Sequence, residues 1–247
     1  MFYYPHIPAI RGEDRMIDEG ERADTRMMGI VHGALRRDLL RTRDALTAEP
    51  YPQGRRRQAL GQHVVWMMEF LHAHHTSEDE GLWPLVRRRN PAAGALLDSL
   101  EADHLVISPA AEALGAAGRR YAATSADEPR ADLVAALDAL TSVLFPHLDR
   151  EVEEAMPVVS ACITQAEWHA VEQKYNIKPK SLAQLGIEGH WLLDGTDAES
   201  YQVVVHTVPA VPRFILLHGF ARAYRRRAQA RWQPGIQAER TERAAAR

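Results

Sequence analysis

The stretch FLHAHHTSEDEGLWPLV, residues 70–86, contains three histidines and three acidic residues within nine positions. The apolar residues around them recur with the period of an α-helix, so the stretch reads as part of a buried helix. Burying so many polar groups without partners costs several kcal/mol for each group. The stretch therefore predicts a helix whose polar side chains face solvent or bind something.

Composition limits the classes of protein to consider. A chain of 247 residues with 46% hydrophobic residues can bury one core and support an appendage. The net charge of −3 gives no general attraction to nucleic acid or to a membrane. The single cysteine, Cys162, excludes a disulfide framework and a cysteine-rich zinc site. The chain shows neither the pattern of a signal peptide nor roughly 18 uninterrupted apolar residues, so we expect a cytoplasmic protein.

Apolar residues line one face of four successive stretches. The first stretch covers residues 24–47 and the second residues 55–86; the third begins at Pro91, and the fourth contains His147. Short polar or Pro-containing breaks separate them. Four amphipathic helices with short connections predict an all-α fold, an up-down-up-down four-helix bundle.

The sequence changes character after the fourth helix. Thr164 and Glu167 form a capping box that starts a further helix. Near the end of the chain, Phe214, Leu217 and Tyr224 are expected to pack back on the bundle. The basic run RAYRRRAQAR that follows Phe220 is expected to be a solvated helix face rather than a nucleic-acid contact. The predicted organisation is a leader at 1–23, the bundle at 24–160, a C-terminal helical extension at 161–233 and a flexible tail at 234–247.

The bundle sequence repeats. HHTSEDEGLWPLV, from His74, and HLDREVEEAMPVV, from His147, both read His-x-x-x-Glu followed by five residues and a proline. The second copy lies 73 residues after the first. His32 in the first helix has a counterpart 72 residues later, His104 in the third. Each half of the bundle therefore offers one histidine on its first helix and a His-x-x-x-Glu motif on its second.

This pattern predicts a metal centre. Residues i and i+4 share a helix face, with Cβ atoms about 5–6 Å apart, so one ion can contact both side chains. Imidazole with carboxylate suits iron, zinc or manganese better than calcium. Six donors are more than the four ligands of a closed tetrahedral zinc site, but they suit two ions that keep open positions. A single buried histidine is more often a hydrogen-bonded core residue, but the repeat favours ligands. The candidate ligands are His32, His74, Glu78, His104, His147 and Glu151.

Other histidines fit this pattern less well. His72 and His75 lie about 160–200° and 100° away from the ligand stripe, which favours structural roles, although His75 could supply an additional bond or ligand. His63 shares the stripe but lies about 16 Å along the helix axis, too far to bind the same ions. No ligand spacing connects the histidines after residue 160.

A ferritin-like di-iron site is the competing architecture. Such sites use two Glu-x-x-His motifs with further glutamates from other helices. The chain contains Glu69-x-x-His72 and Glu101-x-x-His104, but these fall on consecutive predicted helices. That interpretation leaves most of the repeated histidines without a role, so it is the weaker alternative.

The repeated motifs, taken together, resemble the hemerythrin-like (HHE cation-binding) family over roughly residues 24–160. The resemblance implies a four-helix bundle with a non-haem, carboxylate-bridged di-iron centre. Members of that family carry oxygen, sense oxygen, nitric oxide or iron, or decompose peroxide. The resemblance also implies bridging roles for Glu78 and Glu151. It implies terminal-ligand roles for His32, His74, His104 and His147.

One departure from the family pattern affects the expected function. Oxygen carriers have a further histidine four positions after the third-helix ligand, where this chain has Ser108. The resemblance therefore implies an additional open position and favours the decomposition of hydrogen peroxide, 2 H2O2 → 2 H2O + O2, over oxygen carriage. The alternatives are a sensor of O2, NO or iron that signals through the C-terminal helices, a manganese or mixed-metal centre, and a metal-free bundle. The expected partners are O2, H2O2 and NO, with neither nucleic acid nor membrane.

Overall fold

The computed structural model describes residues 21–208 and 210–232. These residues form helices and short connections, with an isolated β-bridge between Arg22 and Thr164 and no strand within the described ranges. The prediction of an all-α fold is confirmed. Most of the predicted leader and the whole predicted tail, 234–247, lie outside the described residues.

Six α-helices and two π-helical turns make up the bundle region. Each π turn continues one α-helix into the next, so α2 runs on into α3 and α5 into α6. A short 3₁₀ turn, Pro91–Ala93, precedes α4. The helices are α1 (Arg26–Thr47), α2 (Gly54–Ser77), α3 (Trp83–Arg89), α4 (Gly94–Ala123), α5 (Glu128–Arg150) and α6 (Met156–Cys162). The π turns are Glu78–Leu82 and Glu151–Ala155.

Both π turns begin at the glutamate of a His-x-x-x-Glu motif. A π turn adds a residue to the local helical repeat and is frequently found at functional sites. Pro84 and Pro157, the duplicated prolines, lie in the first turn of the α-helix that follows each π turn. Proline has no backbone N–H, so each continuous helix lacks one internal hydrogen bond next to its π turn. The sequence repeat is therefore a repeat of a local backbone distortion as well.

The bundle helices contact one another in a ring. Helix α2 packs on α4, α4 on α5, α5 on α1, and α1 on α2. The side chains that fill the space between them are fully buried apolar residues, each of which stabilises the fold by about 1.5–3 kcal/mol. They include Leu35, Leu39, Leu71, Leu114, Leu140 and Leu144. The up-down-up-down order of the helices, predicted from their short connections, remains a prediction.

Among the described residues, one helical run, Glu128–Cys162, is long and apolar enough to cross a membrane by length and composition. This run contributes Leu137, Leu140 and Leu144 to the bundle core and carries the buried Glu151. A core helix of a bundle has these same properties.

The C-terminal extension packs on one side of the bundle. It comprises α7 (Gln165–Glu172), α8 (Leu182–Leu193), α9 (Ala198–His206), α10 (Ala210–Gly219) and α11 (Ala221–Trp232), with a π turn at Gln173–Ile177. Helices α8 and α9 contact α1, and α11 contacts α2 and α8. The predicted capping box of Thr164 and Glu167 is present at the start of α7.

The packing of α10 and α11 matches the sequence prediction in part. Tyr224 is buried, while Arg225, Arg226 and Arg227 are exposed, as expected for a helix with one solvated face. The prediction that Phe214 packs on the bundle was wrong. Its ring stacks on His218 in the same helix and stays 63% exposed, because α10 turns that face toward solvent.

A close approach of α2 and α4 depends on Gly61. A Cβ atom at this position would lie 2.6 Å from the carbonyl oxygen of Gly118 and 2.9 Å from the Cβ of Ala122. We expect Gly61→Ala to push the helices apart and lower the free energy of unfolding by about 1–3 kcal/mol, measured in urea. Gly29→Ala is the control, because a Cβ there meets nothing within 4 Å. Equal effects of both substitutions would contradict the close-contact argument.

Candidate metal centre

Two pairs of buried imidazoles meet in the bundle core. His32 on α1 and His74 on α2 form the first pair, with 3.2 Å between their Nε2 atoms. His104 on α4 and His147 on α5 form the second pair, with 3.3 Å between their Nε2 atoms. Each pair joins the two histidines of one half of the repeat. The structure thus brings together all four histidines that the sequence nominated.

Glu78 extends from one imidazole pair to the other. Its Oε1 lies 3.0 Å from Nε2 of His74, and its Oε2 lies 3.6 Å from Nε2 of His104. The π turn starts at this residue and continues the helix past the site. The two carboxylate oxygens therefore face different imidazole pairs, which is the placement that a bridging carboxylate requires.

Glu151 has the matching position on the other side of the site. Its Oε2 lies 3.3 Å from Nε2 of His32 and 3.7 Å from Nε2 of His147. It too contacts one imidazole of each pair and begins a π turn. Each glutamate thus lies next to one imidazole of each pair, as the sequence repeat predicts, although Glu151 contacts both pairs through the same oxygen.

Both glutamates are buried without hydrogen-bond partners. Glu78 is 1% exposed and Glu151 0%, yet none of their four carboxylate oxygens accepts a hydrogen bond. Burial raises the pKa of Glu78 to about 8. Burial, with the neighbouring Glu78, raises the pKa of Glu151 well above its ordinary range. Unpartnered buried polar atoms are rare in native proteins, and a cation would pair with all four oxygens. These residues therefore fit a metal site.

Three of the four imidazoles, those of His32, His74 and His147, are in the chemical form that binds metal. Burial lowers the pKa of His32 well below its usual value and lowers the pKa of His74. It also lowers the pKa of His147 to about 4. The three rings are therefore neutral at pH 7. A neutral imidazole carries a free lone pair on one ring nitrogen, which is what a metal ligand needs.

Contacts at the far side of the rings select which nitrogen faces the site. Nδ1 of His104 lies 2.8 Å from Oδ1 of Asp79, and Nδ1 of His147 lies 3.3 Å from Oδ2 of Asp103. Asp103 in turn accepts a hydrogen bond of 2.6 Å from Arg150. With Nδ1–H donating to these carboxylates, the Nε2 lone pairs point into the site. Carboxylate–histidine pairs of this kind orient metal ligands and raise their basicity.

The structure brings a seventh donor, His75, into the centre. Its ring stacks on that of His104 with 4.0 Å between ring centroids, and its buried Nε2 has no hydrogen-bond partner. Two groups of three donors result, and within each group the donor atoms lie within 4.8 Å of one another. The first donor group is His32, His74 and Glu151; the second donor group is His75, His104 and His147.

Other sequence candidates lie outside the centre. His63 is buried but hydrogen-bonds to Asp38, away from the donor groups, as its distance along the helix predicts. The competing ferritin-like motif does not assemble, because Glu69 and His72 are exposed and Glu101 pairs with Arg87 instead.

Comparison with known families gives one match. The family described as the hemerythrin HHE cation binding domain matches residues 24–159, more than half of the chain and all six predicted ligands. The chain belongs to this family. Membership and the two donor groups together indicate that the hemerythrin-like domain binds cations. Curated proteins and solved structures give no match to the chain.

Metal binding to the hemerythrin-like domain should release protons. A pKa of about 8 keeps the Glu78 carboxyl largely protonated at pH 7, burial favours the protonated form of Glu151 as well, and a bound cation requires both carboxyls ionised. We expect about two protons released per chain and a metal affinity that rises with pH between about 6 and 8. Calorimetric titration in buffers of different ionisation enthalpy measures the release. Glu78→Gln should release about one proton fewer, and the absence of any release would contradict the prediction.

Proposed function

We propose that the hemerythrin-like domain holds two iron ions and reacts there with hydrogen peroxide or O2. The observation that carries the proposal is the pair of three-donor groups with buried, unpartnered carboxylates between them. One ion would be held by each donor group, with Glu78 and Glu151 bridging the ions. Neutral imidazoles with carboxylates suit iron, and manganese or a mixed pair suits the same donors.

Iron supplies the one-electron redox chemistry that amino-acid side chains lack. The chain's own residues bind the ions, orient the imidazoles and exclude bulk water. Asp79 and Asp103 keep the Nδ1 protons of His104 and His147 away from the ions. Both glutamates bring negative charge to the site once the ions are bound, which favours the higher oxidation state.

A small cavity beside the centre supports a diatomic or peroxide substrate. It has a volume of about 50 Å³ and is lined by His74 and Glu78, with Met28, Leu82 and Trp168 around them. A water molecule occupies about 30 Å³ in the liquid, so this space suits H2O2, O2 or NO. The most concrete reaction for this site is 2 H2O2 → 2 H2O + O2.

The test is to load the metal-free protein with Fe²⁺ under argon, count the bound iron and then add peroxide. We expect about two irons per chain and release of one O2 for every two H2O2 consumed. His74→Ala and Glu151→Ala should lose this activity, whereas His72→Ala, which removes an exposed histidine of the same helix, should keep it. A fully loaded protein that releases no O2 would contradict peroxide decomposition.

A sensor of O2, NO or iron is the second candidate. It is favoured by the position of His74, which lines both the small cavity and a larger one walled by the C-terminal extension. A change at His74 could therefore alter how the extension packs on the bundle. Limited proteolysis distinguishes the candidates: a sensor should show cleavage between residues 160 and 212 that depends on bound iron or gas. Identical cleavage patterns in every state would contradict the sensor.

A further inference from the structure

A cavity of about 340 Å³, here called the extension cavity, lies between α2 of the bundle and α8, α9 and α10 of the extension. O2, NO and H2O2 need much less space. The volume falls within the range of about 300–1,000 Å³ that is typical of sites for small organic ligands. Most of the wall is apolar. Its apolar side chains include Phe70, Leu185, Leu193, Val204, Val205 and Leu217.

The charged groups in the wall nearly balance one another. Lys180 forms an ion pair with Glu188. Arg213 adds a positive charge, and its Nε donates to a backbone carbonyl. Burial raises the pKa of Glu172 to about 7, so this carboxyl carries a partial negative charge at neutral pH. Because the net charge of the wall is small and most of its lining is apolar, a charged ligand would lose its hydration for little electrostatic gain, so the wall favours an uncharged molecule.

His190 offers one polar contact within the wall. The side chain is 4% exposed, and neither ring nitrogen makes a hydrogen bond of ordinary geometry, although the backbones of Leu216 and Leu217 lie nearby. An imidazole has one donor and one acceptor nitrogen when neutral. A hydroxyl or carbonyl group on a ligand would give this buried side chain the partner that it lacks.

The extension cavity adjoins the candidate metal centre. His74 lines both the extension cavity and the 50 Å³ cavity that contacts Glu78. Met27, Val31, Glu172 and Asn176 also line both spaces. A molecule that fills the extension cavity would therefore lie beside a candidate metal ligand.

We infer that the extension cavity binds an uncharged, mostly apolar organic molecule with one hydroxyl or carbonyl group, whose far end lies against His74. If each non-hydrogen atom takes about the volume of a water molecule in the liquid, about 30 Å³, the cavity holds a ligand of on the order of ten such atoms. Binding depends on the extension cavity alone, whereas an effect on bound metal also rests on the proposed function. The C-terminal extension would then serve to bind this ligand.

Gly189 allows the extension cavity to be filled selectively. It lies within α8 and lines the cavity, and a Cβ atom there would meet nothing within 4 Å. Gly189→Leu should therefore place a side chain in the cavity without a clash at Cβ. Gly29→Leu is the matched control, because Gly29 is also helical and open but lies on α1 beside a different groove. Leu216→Trp, from the part of the wall that α10 contributes, is the second filling variant.

The probes are 2-naphthol and 1-decanol, which are uncharged, and naphthalene-2-sulfonate, which is charged. We expect at least one uncharged probe to bind the full-length, metal-free protein with one-to-one stoichiometry by calorimetry. Its affinity should fall about tenfold or more in Gly189→Leu or Leu216→Trp and stay unchanged in Gly29→Leu. Thermal unfolding of each variant establishes that it folds. Binding of neither uncharged probe, equal binding of the sulfonate, or undiminished binding in folded filling variants would each overturn the inference.

A second measurement tests the contact with His74. In the iron-loaded protein, the bound probe should shift the visible spectrum, and Gly189→Leu should abolish the shift. A probe that binds without any spectral change would overturn the placement against His74. If the protein takes up no iron, the proposed function fails, while probe binding to the metal-free chain still decides the inference about the extension cavity.

Discussion

Replacement of His75 by alanine should reduce the strongly bound metal from about two ions per chain to about one. His75 is 5% exposed, and its buried Nε2 has no hydrogen-bond partner. It belongs to the second donor group, which would keep only His104 and His147 after the substitution. Loss of a residue that merely orients a ligand weakens metal binding about 10–100-fold, so loss of a donor should weaken it at least as much.

Metal counting after dialysis against a chelator, with Mössbauer spectra of the iron that remains, measures this effect. His72→Ala is the matched control, because His72 lies on the same helix but is exposed. A packing role predicts a different result: His75→Ala would lower the melting temperature of the metal-free protein and leave two equivalent irons. That outcome would remove His75 from the ligand set.

The sequence could identify the candidate site because the repeat and the helical period act together. His74 and Glu78 are one turn apart, as are His147 and Glu151, so each motif must present both side chains to one side. The matching apolar stripe around each motif requires that side to face the core. Fold class and ligand positions therefore follow from local rules.

The sequence favoured a structural role for His75 over an additional ligand because the predicted buried face was a narrow stripe. A residue next to His74 lies about 100° around the helix from it. The buried face of a bundle helix is at least about that wide, so both neighbours can reach the core. The ring of His75 stacks on that of His104, the ligand candidate of the third helix. That contact depends on how α2 and α4 pack, which one sequence does not reveal.

The π turns could not be predicted for a similar reason. A continuous α-helix was expected over residues 55–86. In the structure the helix continues, but its geometry changes from α to π at Glu78–Leu82. Residue preferences do not distinguish π from α geometry at this length, and the duplicated prolines mark only where the following α-helix begins. Contacts between residues far apart in the sequence could not be predicted either. Trp191 of the extension meets Asp38 of α1 across 153 positions of sequence.

Asp38 joins the extension to the bundle, and its replacement should be the most destabilising change outside the candidate metal centre. The side chain is 0% exposed. Its Oδ2 accepts hydrogen bonds from His63 Nε2 at 2.7 Å and Trp191 Nε1 at 2.9 Å, and its Oδ1 accepts one from Arg37 Nε at 2.9 Å. Asp38→Ala leaves these buried donors without an acceptor, so we expect a loss of about 3–5 kcal/mol in the free energy of unfolding. Asp44→Ala, on the exposed face of α1, is the control and should change it by less than about 0.5 kcal/mol.

The pH dependence separates the charge of Asp38 from its packing. The bond from His63 and the guanidinium of Arg37 hold the pKa of the Asp38 carboxyl below its ordinary value despite burial, which opposes them. A lowered pKa in the folded state means that the unfolded chain binds more protons near pH 4. The stabilisation from ionised Asp38 is therefore present above about pH 4 and is lost as the pH falls through the lowered pKa. Urea unfolding should show a constant difference between the wild type and Asp38→Ala above about pH 5, and the two should converge as the pH falls from about 4 toward 2. A difference that does not shrink over this range would mean that packing of Trp191, rather than the charge of Asp38, attaches the extension to the bundle.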